Sequence, residues 1–139
     1  MSRVINPSGP GSRRNHFRRT VAEILRQLML KSELDEETKD MAATVVVALR
    51  GIAETIEEST YAWERRNYFL KADRFRRRWE WVAIAADKLH DVVVHDRWEN
   101  LPQELAMLVP YFRDIRVLKF MRRPSTWTGN YRLLQRGER

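Results

Sequence analysis

The residues of this 139-residue chain that could do chemistry fall into a small acid–imidazole group and a larger set of cations interleaved with aromatics. Asp87 and His90 stand three residues apart, and Asp91 and His95 stand four apart. On a helix that spacing sets carboxylates and imidazoles along one edge, where a divalent cation could be held. The only other histidine is His16, and there is no cysteine, which excludes disulfides, thiolate metal sites and cysteine nucleophiles. Di-iron helical bundles need Glu-x-x-His motifs on two helices, and none occurs here. Neither a phosphate-binding loop, a dinucleotide fingerprint nor a His-Glu-x-x-His zinc helix is present. Neither His90 nor His95 has the upstream arginine of the Arg/His ribonuclease motif of small helical toxins. The expectation is a protein that is not an enzyme and uses no cofactor or metal.

The cations are more suggestive. Drawn on a helix, Arg113, Arg116, Lys119 and Arg123 occupy about a third of the circumference, with Phe112 and Phe120 in the same sector. Such a stripe could neutralise phosphates while an aromatic stacks on an unpaired base. It could equally be a solvated face whose aromatics meet another subunit. Upstream, Arg74, Arg77 and Arg78 precede Trp81 by seven, four and three residues, so a guanidinium could lie over the indole. Either Trp81 belongs to a wide core, or a partner covers it there. Arg13, Arg14, Arg18 and Arg19 follow a Pro/Gly/Ser-rich stretch and resemble a basic arm.

The elements that must carry these residues are helical. Tyr68, Ala72, Phe75, Trp79, Val82, Ala86, Leu89 and Val93 recur at alternating steps of four and three, one apolar stripe along a helix over 65–94. A second helix begins at the candidate N-cap Asp35 and carries Met41, Val45, Leu49, Ile52 and Ile56, fading near 59–61. A first helix over 14–31 turns Phe17, Val21, Ile24, Leu25 and Leu28 inward. A fourth region starts near 100 with Pro102 in its first turn, and Pro110 kinks or splits it, leaving a helix over about 110–123. The expected fold is all-α, an antiparallel up-and-down four-helix bundle over 14–123, between a flexible basic arm (1–13) and an irregular basic tail (124–139).

Charge is segregated along the chain. The total is +7, with +5 over 1–34, −5 over 35–60, +4 over 61–90, −3 over 91–110 and +6 over 111–139. One side of a bundle built this way is electropositive and suits a polyanion. No segment reads as a signal peptide or membrane span, so a cytoplasmic protein with no membrane partner is expected.

The segment Tyr68-Phe69-Leu70-Lys71-Ala72-Asp73, continuing into Trp79-Glu80-Trp81 and Ala85-Ala86-Asp87-Lys88-Leu89, follows a helix bearing Ile52 and Ile56. Over residues 36–95 this pattern resembles the bacterial four-helix-bundle proteins encoded in 23S rRNA intervening sequences and the accessory variability determinants of diversity-generating retroelements. The resemblance implies a basic, barrel-like homopentamer. In the retroelement branch it also implies binding to a reverse transcriptase and to nucleic acid. The expected function is therefore a non-catalytic accessory protein that binds RNA or DNA with little sequence preference. The alternatives are an oligomeric adaptor for an acidic protein and an intervening-sequence protein of the same fold.

Overall fold

The computed structural model describes residues 9–137, and residues 1–8 of the expected basic arm lie outside them. The described residues contain helices and turns and no strand: α1 (Pro10–Met29), α2 (Glu36–Glu64), α3 (Phe69–Val94), α4 (Leu101–Leu108) and α5 (Asn130–Gln135). Single 3-10 turns occupy Trp98–Asn100, Val109–Phe112 and Pro124–Thr126.

Local chemistry explains each boundary. Pro10 opens α1 at a position where a missing N–H costs nothing, so Arg13 lies within a helix rather than on a flexible arm. Asp35 caps α2, its carboxylate accepting the Thr38 amide at 2.8 Å, with Glu36 and Glu37 in the first turn. Lys31 donates to Asp35 and Glu37 at 2.9 Å each, closing the loop from α1. α2 runs on to Glu64, beyond the expected fade near 59–61, because its polar residues there are satisfied inside the fold. Thr60 is fully buried and donates to the Ile56 carbonyl at 3.0 Å, and Ser59 accepts from Arg14 at 2.7 Å. Asn67, at φ 64°, makes the left-handed turn into α3, a conformation asparagine tolerates.

The three long helices run up, down and up. Arg13 pairs with Glu58 across α1 and α2, and Arg76 pairs with Glu64 at 2.7 Å across α2 and α3. α2 is the central element, packed by α1, α3 and α5. The expected stripes of α1 and α2 are buried, apart from the half-buried Phe17. In α3 the stripe holds from Ala72 to Val93, with Phe75 and Trp79 half-buried, whereas Tyr68 stands exposed at the helix entrance. Gly51 sits where α1 and α2 come closest: a Cβ there would lie 2.6 Å from the Phe17 ring. Gly51→Ala should cost about 1–3 kcal/mol through overpacking, against the ~1 kcal/mol that alanine's helix propensity returns. A net loss in urea denaturation checks this.

Two expectations fail in the second half of the chain. No fourth long helix forms over 110–123. Pro110 tightens the chain into a 3-10 turn, and residues 113–123 then run as an irregular strap along α1. Ile115 and Val117 turn inward to half-buried positions while Arg116 and Leu118 face outward, an extended alternation instead of a helical one. The tail is not irregular either. Gly129, at φ 88°, starts α5, and Trp127, Tyr131 and Leu134 are buried against α2 and α3. Asn130 donates to Thr44 at 2.8 Å, and the Tyr131 amide donates to buried Asp40 at 3.0 Å.

Burial, and then its hydrogen bond to Asp96, push the Tyr131 phenol up to about 12 from its ordinary 10.0. A group whose pKa is raised by folding contributes stability that is complete below its unfolded pKa and lost as pH rises through the folded one. Stability should therefore decline between pH 10 and 12, and Tyr131→Phe should lack that decline in denaturant melts across the range.

Candidate nucleic-acid interface

The fourteen side chains singled out from the sequence divide by what they touch. Those of early α1 are engaged by the fold. Arg14 donates to the Thr55 carbonyl at 3.1 Å and to Ser59 at 2.7 Å, and lies 4.9 Å above the Phe75 ring. Burial lowers its pKa from the usual arginine value, and an arginine starting that high remains a cation. Arg18 donates to Asp114 at 2.7 Å and to the Tyr111 carbonyl at 3.2 Å, between the rings of Trp79 and Phe112. That hydrogen bond holds the Asp114 carboxyl below its ordinary range. Arg13 is taken by Glu58, which its hydrogen bond likewise keeps ionised. These three arginines staple α1 to its neighbours and do not form a free arm.

Trp81 has a cover, and the chain itself supplies it. The Tyr111 ring stacks on the indole at 3.8 Å and 9°, and buried Phe112 meets it edge-on at 5.8 Å. No described cation lies over Trp81; the guanidinium–indole contacts form at Trp79, from Arg14 and Arg18. The α3 arginines also part company. Arg77 pairs with Asp73 at 3.2 Å and lines a groove with Glu57 and Glu80, whereas Arg74 and Arg78 line a different cavity at the α2–α3 turn. The expected Arg74–Arg77–Arg78–Trp81 patch is therefore not one surface, and Phe112 is a core residue unavailable for stacking.

The remaining cations converge on the strap. Arg19 of α1 and Arg116 and Lys119 of the strap border one shallow cavity of about 260 Å³. Arg26 and Arg113 border its neighbour of about 280 Å³, and Ile115 lines both. Among the described residues none of these five cations has a side-chain ion pair or hydrogen bond. Glu23, which lines the first of these cavities, is 3% exposed and occupied: it accepts the backbone amides of Met121 and Arg122, the latter at 2.8 Å, and faces the Arg122 guanidinium at 3.6 Å. Arg122 in turn donates to Thr20 at 2.8 Å. The latch that fixes the strap thus draws Glu23 away from the surface, and the strap's own carboxylate, Asp114, is taken by Arg18. Phe120 is 47% exposed and Arg123 is also exposed, but neither lines these two cavities.

Sequence reasoning passed over Arg26 and Arg122. Arg26 follows Arg19 by seven residues, two helical turns, so a wheel drawn for α1 places them on one face. No local pattern marks Arg122. The acid–imidazole edge gathers no group of three or more metal-ligating side chains among the described residues. Asp91 is flanked by Arg97 at 3.2 Å and His95 at 3.6 Å. No described helix is long and apolar enough to cross a membrane. An array of unpaired cations is equipped to hold anions. No protein-family model, curated protein or solved structure matches this chain.

Proposed function

We propose that this protein is a non-catalytic, nucleic-acid-binding helical-bundle protein that holds the phosphate backbone of RNA or DNA on the face shared by α1 and the strap. The observation that carries this reading is the convergence of Arg19, Arg26, Arg113, Arg116 and Lys119 beside a carboxylate already engaged by backbone amides. The resemblance over residues 36–95, which falls on α2 and α3, supports a further step: a homo-oligomer acting beside the reverse transcriptase of a diversity-generating retroelement. The strap lies outside the stretch that carries that resemblance, so the phosphate-binding face rests on its own residues.

Five phosphate contacts release about five counterions, so duplex affinity should fall roughly 500-fold between 50 and 200 mM salt. Replacing Arg116 and Lys119 together by alanine should lower the slope of log affinity against log salt by about two and weaken all sequences alike. Fluorescence anisotropy with labelled RNA and DNA over a salt series measures both. Binding that ignores salt, or no binding to any oligonucleotide, rejects the reading. In that case a partner retained after nuclease treatment of an affinity capture would favour an adaptor for an acidic protein.

A further inference from the structure

Where α2 turns into α3, an open cavity of about 550 Å³ is left unexplained by the strap face. Its inner walls are the half-buried rings of Trp63 and Phe75, which meet edge-to-face at 4.9 Å. Lys71 lies 4.4 Å from the centre of the Trp63 ring, and Arg74 and Arg78, one helical turn apart, line the cavity too. Every ionic side chain around the cavity is therefore a cation. The acids within reach are occupied, Glu64 by Arg76 at 2.7 Å and Asp73 by Arg77 at 3.2 Å. Neither Arg74 nor Arg78 has a side-chain partner among the described residues. Tyr68, Phe69 and Leu70 are 52%, 58% and 62% exposed, so three consecutive apolar residues stand in water at the same place.

The chemistry of an occupant follows from this lining. It must carry negative charge, to use two unpaired guanidinium groups, and a flat apolar face, to use the exposed Phe69 ring that lines the cavity beside Trp63 and Phe75. An acidic peptide meets the first demand and leaves the aromatics wet. A lipid surface would suit a convex apolar tip, whereas these rings line a concavity. An unpaired nucleotide meets both, because every base offers a π-face and each stacked base is worth about 1–3 kcal/mol. A base within a duplex cannot reach the cavity, because its faces are already stacked.

We infer that this cavity is a second site, separate from the strap, which takes one unpaired nucleotide of a single strand, the base against Phe69 and its phosphate between Arg74 and Arg78. The inference rests on the nucleic-acid reading and deepens it by naming the substrate class: single strands, or strands with unpaired ends, over blunt duplexes.

The test compares a 12-nucleotide single strand with a blunt hairpin duplex by anisotropy at fixed salt, using the full chain. The variants are Phe69→Ala and the double change Arg74→Ala with Arg78→Ala, all at exposed positions and checked for folding by circular dichroism. The expected result is a fivefold or greater loss of single-strand affinity in each variant, with duplex affinity within twofold of the original. Equal losses for both ligands, or none for either, overturn the site. If Arg116→Ala with Lys119→Ala weakens both ligands while the cavity variants weaken neither, only the cavity proposal falls. If the original chain binds neither ligand, both proposals fall. Loss of binding to phosphatidylserine vesicles in the cavity variants, with oligonucleotide binding intact, overturns the site in favour of a membrane surface.

Discussion

Glu23→Ala should release the strap and cost about 3–5 kcal/mol of stability. The carboxylate is 3% exposed and Arg122 is 18% exposed, so this pair sits in a poorly solvated environment. Removing one partner of such a pair leaves the other charge buried without compensation, which is the expensive way to break it. The Met121 and Arg122 amides lose their charged acceptor at the same time, and the loss of these two hydrogen bonds adds to the cost. The consequence is local as well as global. Residues 113–123 contain Arg113, Arg116, Lys119 and Arg122, so a freed strap offers trypsin four cleavage points, the bond after Arg123 being blocked by Pro124. Limited proteolysis should cut the variant there well before the rest of the chain, and urea denaturation should give the stability loss. Because Arg116 and Lys119 would no longer be held beside Arg19, oligonucleotide affinity should fall as well. A strap that stays protected in Glu23→Ala would show that Ile115 and Val117 hold it without the latch.

Trp127→Ala should destabilise the protein by a similar amount, about 3–5 kcal/mol. The indole is 3% exposed and Nε1 donates to Glu37 at 3.3 Å, so truncation opens a cavity beside α2 and strands part of a hydrogen bond. The effect should spread to α5, because Trp127 begins the segment that places Asn130 on Thr44 and Tyr131 on Asp40. Hydrogen exchange over Asn130–Gln135 should accelerate before the three long helices lose protection. Leu118→Ala is the matching control, since that side chain is 84% exposed and should change little. An unchanged melting curve for Trp127→Ala would mean that the tail adds nothing to the core.

These two variants fall in the part of the molecule that the sequence described least well. Long helices announce themselves: seven stripe positions in α3, the Asp35 cap and the apolar run of α2 all repeat a local rule often enough to be read. α5 carries only Tyr131 and Leu134 of that spacing, a single step of three, and six helical residues give too few repeats to stand out. The strap misled for a different reason. After Pro110 nothing in 111–123 forbids a helix, and its course is decided by Glu23, about a hundred residues earlier, capturing two of its amides. The candidate site shows the same split. Arg113, Arg116 and Lys119 share a face with Arg19, though on a strap instead of a helix. Which arginines are already engaged could not be seen, because Arg14 finds Ser59 and Arg18 finds Asp114 only when distant segments meet. Trp81 is the clearest instance. The need for a cover was legible on one helix, but the identity of that cover depended on where the turn at Val109–Phe112 came to rest.

The aromatic contacts described separately above join into a single row: Trp63 against Phe75, Phe75 beside Trp79, Trp79 beside Trp81, and Trp81 on Tyr111, each pair 3.8–6.1 Å between ring centres. At such separations the electronic transitions of neighbouring rings couple, so the near-ultraviolet dichroism of each ring depends on how the next is placed. The protein therefore carries its own optical gauge, running from the α2–α3 turn to the root of the strap. A ligand at Trp63 and a loosening at Tyr111 would each alter the near-ultraviolet dichroism of the whole row, with no dye attached.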